Sequence, residues 1–333
     1  MGSDSVQRER VHIVDAVYGR AVEHPRWRWS VLPGTCPKVM TGQQARAISE
    51  HRDQWWWAHK TDGTRAIVSL RASGLLTAFD RRFDPVVQES VRGVGMLLGG
   101  DSVVDAEMVH SVEDPMGRKV FLLHDAFLVE GINVSEQPFD VRRRMGARLC
   151  SRLNHVLGDG WLIAFKPFER VAGTDADELR QAMCRDSSFD VSVDGRKLRR
   201  FAADGAVFMH DSVAAHDQRS PWVTKFKPPS RCTVDFAIGS DGRTLQLHHD
   251  DALFNAGSLP FDAQPLPRGT VVECAMGDTG EWRVVHVRSD RSKPNSAAAA
   301  FQTTVFTQAA SAFIDTICSG STRLGPAKRR VPE

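Results

Sequence analysis

Lys60-Thr61-Asp62-Gly63-Thr64-Arg65 stands directly after the aromatic run Trp55–His59 and just before the β-branched run Ala66–Leu70. Runs of this kind, separated by Asp and Gly, read as strands joined by a tight turn. The hexapeptide therefore presents an amine at a strand end, on a rigid edge. Such an amine can attack a phosphorus if burial or neighbouring cations depress its pKa, ordinarily about 10.4. Taken alone, the pattern equally describes a surface turn.

Working outward, acidic and basic residues recur on other strand-like runs. Asp105-Ala106-Glu107 lies in Ser102–Val109 and His124-Asp125 in Val120–Val129. Asp204-Gly205 leads into Ala206–Met209, and Lys225-Phe226-Lys227-Pro228 closes Trp222–Phe226. Carboxylates such as Asp204 and Glu107 can hold Mg²⁺, which needs only one or two protein oxygens besides water and phosphate. Lys225 and Lys227 alternate, so their ammonium groups share one strand face and can converge on one phosphate. Arg288-Ser289-Asp290-Arg291, with Trp282 before it and Pro294-Asn295 after, can grip a diphosphate.

The remaining pattern gives an α+β chain. Further strands are expected at Leu75–Phe79 and Trp161–Phe165, and helices near 43–51, at 139–157 and at Ala176–Cys184. Residues 1–50 otherwise read as irregular. Pro228-Pro229 marks a boundary, because proline cannot continue a sheet ladder. Beyond it, Thr233–Ala237, Thr244–His248, Thr270–Ala275 and Trp282–Val287 belong to some five short strands, which suggest a small barrel of the oligonucleotide-binding type. Ala297–Cys318, with Phe301, Val305, Ala309, Phe313 and Ile317 four apart, reads as a helix closing it.

With 333 residues, two domains are expected. The 43 Lys and Arg against 41 Asp and Glu exclude a histone-like binder but allow a basic groove. No apolar run approaches the ~18 residues of a membrane span. Six scattered cysteines argue against structural zinc or a disulfide framework and for a reducing, intracellular setting. No secretory signal is read at the N-terminus, where charges dilute Val6, Val11, Ile13 and Val14, and Met1-Gly2 lacks the rest of an acylation signal. Lys328-Arg329-Arg330 reads as a solvated basic tail.

In this order, the motifs resemble those of mRNA capping guanylyltransferases, in the covalent nucleotidyltransferase superfamily that includes DNA and RNA ligases. Lys60–Arg65 is similar to the family's K-x-D-G-x-R, Asp105–Glu107 to its D-G-E with Ala106 for glycine, and Phe121–Phe127 to its next strand motif. Asp204–Phe208 and Lys225–Pro228 resemble the D-G-hydrophobic and K-x-K-P motifs. Pro33-Gly34-Thr35-Cys36-Pro37, Phe165–Phe168 and the segment through Asn295 resemble motifs of capping enzymes rather than ligases.

The resemblance, over roughly residues 30–320, implies a nucleotidyltransferase domain of ATP-grasp-like antiparallel sheets with helices (1–229, core 30–229), then an OB-fold barrel domain with a closing helix (230–333). It implies a GTP:RNA guanylyltransferase using Mg²⁺ or Mn²⁺, with 5′-diphosphate RNA as acceptor. Lys60 would carry GMP, and Asp62, Arg65, Arg81 and Glu107 would serve the ribose and phosphates. Lys166 would read guanine O6. Val207 would wall the base, with His124 or Phe121 stacking on its other face. Asp204 and Glu107 would place the metal, Lys225 and Lys227 would neutralise the α-phosphate, and Arg288, Asp290 and Arg291 would orient pyrophosphate. Ala106 in place of glycine implies a turn that needs no positive φ.

Separate triphosphatase and methyltransferase partners are implied, in a nucleus or, for a viral protein, a virus factory or virion. Alternatives are an ATP-dependent polynucleotide ligase and a catalytically inactive RNA-binding scaffold. Trp55-Trp56-Trp57 reads as a strand entering the core rather than a base platform. His248-His249-Asp250-Asp251 reads as an exposed barrel loop rather than a metal site. The arginines at 142–148 read as a solvated helix face.

Overall fold

The computed structural model describes residues 3–18, 32–91, 93, 97–112, 119–154, 161–184, 187–193, 196–218, 220–277, 280–289 and 291–319. Met1-Gly2, Asp290 and Lys328-Arg329-Arg330 lie outside them.

Helix α1 (Ser3–Tyr18), strand β1 (Lys38–Val39) and helix α2 (Gly42–Glu50) lead into β2 (Trp55–Thr61) and β3 (Thr64–Leu70). β4 (Leu75–Phe79), β5 (Pro85–Ser90), β6 (Ser102–Val109), β7 (Lys119–Val129) and β8 (Ile132–Asn133) precede helix α3 (Phe139–Asn154). β9 (Trp161–Phe165), β10 (Glu169–Arg170), helix α4 (Ala176–Cys184), β11 (Ser187–Val193), β12 (Arg196–His210) and β13 (Val223–Phe226) follow. β14 (Thr233–Ile238), β15 (Thr244–His249), β16 (Ala252–Ser258), β17 (Val271–Met276), β18 (Trp282–Val287) and helix α5 (Ala297–Ser319) end the described chain.

These strands make three sheets in a mixed α+β architecture. The first runs β1-β13-β12-β2-β10 with β11 on β12. The second runs β5-β4-β3-β6-β7-β8 with β9 parallel on β7. The chain crosses from the first to the second between β2 and β3, within Lys60–Arg65. It returns between β9 and β10, at Lys166-Pro167-Phe168.

The alternation of β2 explains its packing. Trp55 and Trp57 face a buried cluster with Phe208, Phe226 and side chains of α2, α4 and α5. Trp56 turns the other way, to Phe139, Phe168 and Met209. Its ring lies between the Arg143 and Arg170 guanidiniums, 4.6 and 4.1 Å from their central carbons, and its Nε1 donates to Asp211 Oδ1 at 2.9 Å. The tryptophan run is thus core and seam, as its pattern predicts.

Three expectations within residues 3–154 need correction. Residues 3–18 form α1 rather than an irregular segment, and Ile13, Val14 and Val17 pack against Ile67, Phe79 and Phe127. Its charges are used inward: Glu9 accepts from Arg71 and Ser69, and Arg10 donates to the carbonyl of Phe83. Second, the α3 arginines do not all form a solvated face. Arg142 is fully buried, with Nε and Nη2 on Asp125 at 2.7 and 2.9 Å and Nη1 on the carbonyl of Val213 at 2.7 Å. Third, Ala106 lies mid-strand in β6 within a buried cluster, not in a turn.

The third sheet, β16-β15-β14-β17-β18, is antiparallel and packs on Val234, Phe236, Leu245 and Val272. Among the described residues no ladder joins β16 to β18, so the sheet is not a closed barrel; the OB-fold itself is a partly open one. His248 and His249 end β15, paired with Leu253 and Ala252, and Asp250-Asp251, at φ 41° and 63°, make the tight turn of the β15–β16 hairpin. Helix α5 buries only the end of the expected stripe, at Phe313 and Ile317. Phe301 and Val305 are exposed, whereas Ala300 meets the third sheet's core and Phe306, Ala310, Ile314 and Ile317 enter the core behind the first sheet.

Removing one member of a buried ion pair strands the other without water or countercharge. Asp125→Ala is therefore expected to lower the unfolding free energy by about 3–5 kcal/mol, read from the urea midpoint. A midpoint within error of wild type would show that Arg142 is held by its carbonyl partners alone.

Candidate active site

Strand pairing puts Val207 opposite both Ala58 and Lys225, so these three share one face of the first sheet. Lys60 is two residues on from Ala58, at the end of that row. Opposite Lys60 the ladder slips, because Ala203 pairs with Thr61 and Ala206 with His59, leaving Asp204-Gly205 as a bulge. Gly205 sits at φ +134°, and a Cβ there would lie 2.1 Å from the carbonyl oxygen of Phe226, so only glycine fits. The bulge turns Asp204 toward the lysines: Oδ1 is 2.6 Å from Lys60 Nζ and Oδ2 is 2.8 Å from Lys227 Nζ. Burial alone would raise the Asp204 pKa, but Lys60 and Lys227 hold it below the ordinary carboxylate value.

The second sheet supplies the opposing wall. Arg65 on β3 lies opposite Glu107 on β6, yet its guanidinium is committed to Asp105, with Nε on Oδ1 at 2.9 Å. Arg65 also donates to the carbonyl of Pro33 at 3.1 Å. Gly34 (φ +100°) packs so closely that a Cβ would fall 2.5 Å from both Arg65 Nη2 and Asp105 Oδ2. The Pro-Gly motif thus closes over this ion pair.

A second bulge places His124. Ala106 pairs with Leu123 and Asp105 with Asp125, so His124 is the extra residue, and its Nε2 lies 2.9 Å from Asp105 Oδ1. Asp105 is wholly buried. Burial pushes its pKa up, but Arg65 and His124 overcome this and bring it to about 2. Phe121 is fully buried in the second sheet's core, whereas His124 is partly exposed.

Lys166, just past β9, is 4% exposed, with its Nζ 3.6 Å from Glu107 Oε2. Burial and then the Lys60 charge outweigh the opposing pull of Glu107 and lower its pKa. Lys225 is lowered as well, first by burial and then by Lys60 and Lys227. The site is therefore a row of close ammonium groups crossed by two carboxylates.

The other anticipated residues are placed as follows. Arg81 is exposed in the turn after β4, and its charge acts on Lys225. Asp62 is exposed at the tip of the β2–β3 turn. Arg288 and Arg291 both engage Asp235 on β14, at 3.3 and 2.5 Å, within the third sheet's own unit. Among the described residues no group of three or more His, Cys, Asp or Glu forms a metal cage.

Sequence reasoning missed Asp105 as the partner of Arg65 and His124. Its spacing from Glu107, two residues along a strand, put both carboxylates on one face and was the available signal. It also missed His59, on the face opposite Lys60, where the imidazole stacks on Phe189 at 5.0 Å and 11°.

Residues 5–162 match the family model of the mRNA capping enzyme catalytic domain. Over that stretch the resemblance read from the motifs holds. Among solved structures, the chain is similar to a mycobacterial DNA ligase D complexed with ATP and MES, at 15% identity, covering 77% of this chain and 96% of that one with a TM-score of 0.43. It is also similar to the ATP-dependent DNA ligase from bacteriophage T7 in complex with ATP, at 10% identity, 84% and 87% coverage and a TM-score of 0.43. No curated protein matches.

Burial and then the Lys166 charge lower the His59 pKa from 6.5 to about 4. The unfolded chain therefore takes up this proton first, so stability from this group is full above pH ~6.5 and falls as pH drops toward 4. His59→Phe, which keeps the stacking on Phe189, should flatten that decline between pH 7 and 4.5 in urea titrations. An unchanged pH dependence would assign the acid sensitivity elsewhere.

Proposed function

We propose that this protein is a GTP:RNA guanylyltransferase, which forms a covalent Lys60–GMP and passes GMP to the 5′-diphosphate end of an RNA. The observation that carries this reading is the contact of Lys60 Nζ with Asp204 Oδ1 at 2.6 Å, in a motif turn flanked by Lys166, Lys225 and Lys227. The capping-domain match over residues 5–162 supports it.

In the first half-reaction Lys60 Nζ gives up a proton, for which Asp204 Oδ1 is the acceptor in reach. The amine forms a P–N bond to the α-phosphorus of GTP while the P–O bond to the β-phosphate breaks and pyrophosphate leaves. Lys225 and Lys227 neutralise charge on the α-phosphate, and positioning of this kind provides most of the acceleration in phosphoryl transfer. Val207 and His124, from opposite sheets, bracket the base, and Glu107 and Arg65 border the ribose. Arg288 and Arg291, with Asp290, serve the leaving pyrophosphate when the third sheet's unit approaches.

Asp204 and Glu107 are already paired with ammonium groups, which fits a divalent ion held mainly by nucleotide phosphates and needing one or two protein oxygens. Such an ion, Mg²⁺ or Mn²⁺, would supply further charge neutralisation.

Guanine selectivity rests on Lys166. Guanine O6 accepts a hydrogen bond, whereas adenine presents a donor amino group at that position, so a buried ammonium leaves the wrong base unpaired.

Incubation with α-labelled GTP and a divalent ion should label the wild type, and the adduct should be acid-labile and alkali-stable. Lys60→Ala should abolish it, and Lys60→Arg should too, because a guanidinium stays protonated below pH ~12 and is no nucleophile. Full labelling of Lys60→Ala would sink the assignment, and labelling by ATP in preference to GTP would make the protein a ligase.

Lys166→Ala should lower GTP labelling at least tenfold relative to ATP labelling, with the melting temperature recorded alongside. A wild-type GTP-over-ATP ratio in this variant would place base recognition elsewhere.

A further inference from the structure

A cleft of about 140 Å³ opens beside Lys225 and Lys227, on the side of α5, lined also by Val39, Arg231, Thr303 and Phe306. With Cys232 and Thr233 completing the lining, three of its eight residues are cationic. Lys227 has Asp204 as its partner. Lys225, by contrast, makes no hydrogen bond or ion pair through its ammonium among the described residues. The cationic groups acting on it are Lys60, Lys227 and Arg81, and burial removes much of its water. A half-buried ammonium hemmed in by other cations is a standing demand for an anion.

The back of the cleft is firmly built. Val39 pairs with Lys225 in the β1–β13 ladder, and the Phe306 ring packs edge-on against Phe226 at 4.9 Å. Both belong to the core behind the first sheet. Thr233, the lining residue from the third sheet, has its hydroxyl turned to Glu273 Oε1 at 2.6 Å. The back wall of the cleft therefore belongs to the first sheet's core, unlike a site built on Arg288 and Arg291.

We infer that this cleft is a second phosphate subsite and that it takes the terminal phosphate of the 5′-diphosphate RNA acceptor. This rests on the guanylyl-transfer reading. Pyrophosphate is the other possible source of such a group, but it leaves on the side served by the third sheet's arginines. An acceptor end must instead be held after pyrophosphate has gone, next to the lysines that flank Lys60. In that step a terminal-phosphate oxygen forms a bond to the phosphorus on Lys60 Nζ. The P–N bond breaks, and the amine keeps the electron pair and takes a proton from solvent.

The test compares the full chain with Arg231→Gln, Thr303→Glu and the charge-keeping Arg231→Lys. Inorganic pyrophosphate, as the diphosphate probe, is titrated calorimetrically, and Lys60–GMP formation and GMP transfer to a 5′-diphosphate oligonucleotide are timed separately. Arg231→Gln and Thr303→Glu should weaken pyrophosphate binding at least fivefold. They should also reduce the ratio of transfer rate to adduct-formation rate at least tenfold, and Arg231→Lys should restore both. Unaltered pyrophosphate binding in both variants would overturn the subsite. Equal losses in both half-reactions, or a greater loss in adduct formation, would overturn the acceptor assignment. If pyrophosphate binds through Arg231 while Lys60 acquires no GMP, the guanylyl reading fails and takes the acceptor with it, while the anion cleft remains.

Discussion

Six consecutive residues have to satisfy two sheets at once. Lys60 lies near the end of a strand of the first sheet and Arg65 near the start of a strand of the second, so the turn between them fixes how the two edges meet. Everything polar in the site answers to that seam. Asp204 ties Lys60 from within the first sheet, and Asp105 ties Arg65 from within the second. The second crossing, Lys166–Phe168, brings another ammonium to the same gap. Like charges brought this close repel, so the arrangement holds only because buried carboxylates are interleaved with the cations.

Two ladder slips do the aiming. A regular β12 would alternate its side chains and leave the residue opposite Lys60 in an ordinary pairing; the extra residue at Asp204-Gly205 swings a carboxylate onto two lysines instead. A regular β7 would likewise give His124 an ordinary cross-strand partner rather than Asp105. In the wholly buried Asp105, one carboxylate orients both a guanidinium and an imidazole. A change at residue 105 would thus disturb two groups at once.

Much of this was legible in the chain. Leu75–Phe79, Ser102–Val109, Trp161–Phe165 and Ala176–Cys184 stand where alternation and helical spacing predict them, because each is bounded by its own turn residues. Lys60 and Lys227 could be singled out because their chemistry sits at strand ends, and Asp204 because Gly205 follows it, although it lies in a bulge within β12 rather than at the start of a strand. What escaped depends on partners distant in sequence. The polar residues of α1 look unsuited to a core until Glu9 meets Arg71, and Arg142 looks solvated until Asp125 comes beneath it. The bulges are properties of two strands together, so neither strand announces them alone. The stripe of α5 was misjudged because the helix has two neighbours, and spacing by four does not say which row meets which.

That same helix alters how the third sheet's unit can travel. The chain enters this unit from the first sheet after Pro228 and leaves through α5, whose start touches the third sheet's core and whose end is buried behind the first sheet. Arg52 fastens that end by donating to the carbonyl of Ile317 at 2.6 Å. A body held at both its ends cannot swing like a flap on one thread. Any movement open to it is confined to a pivot about the line joining its two attachments, like a trapdoor on paired pins. Fewer directions of travel mean less entropy to lose in any docking of this unit against the first sheet.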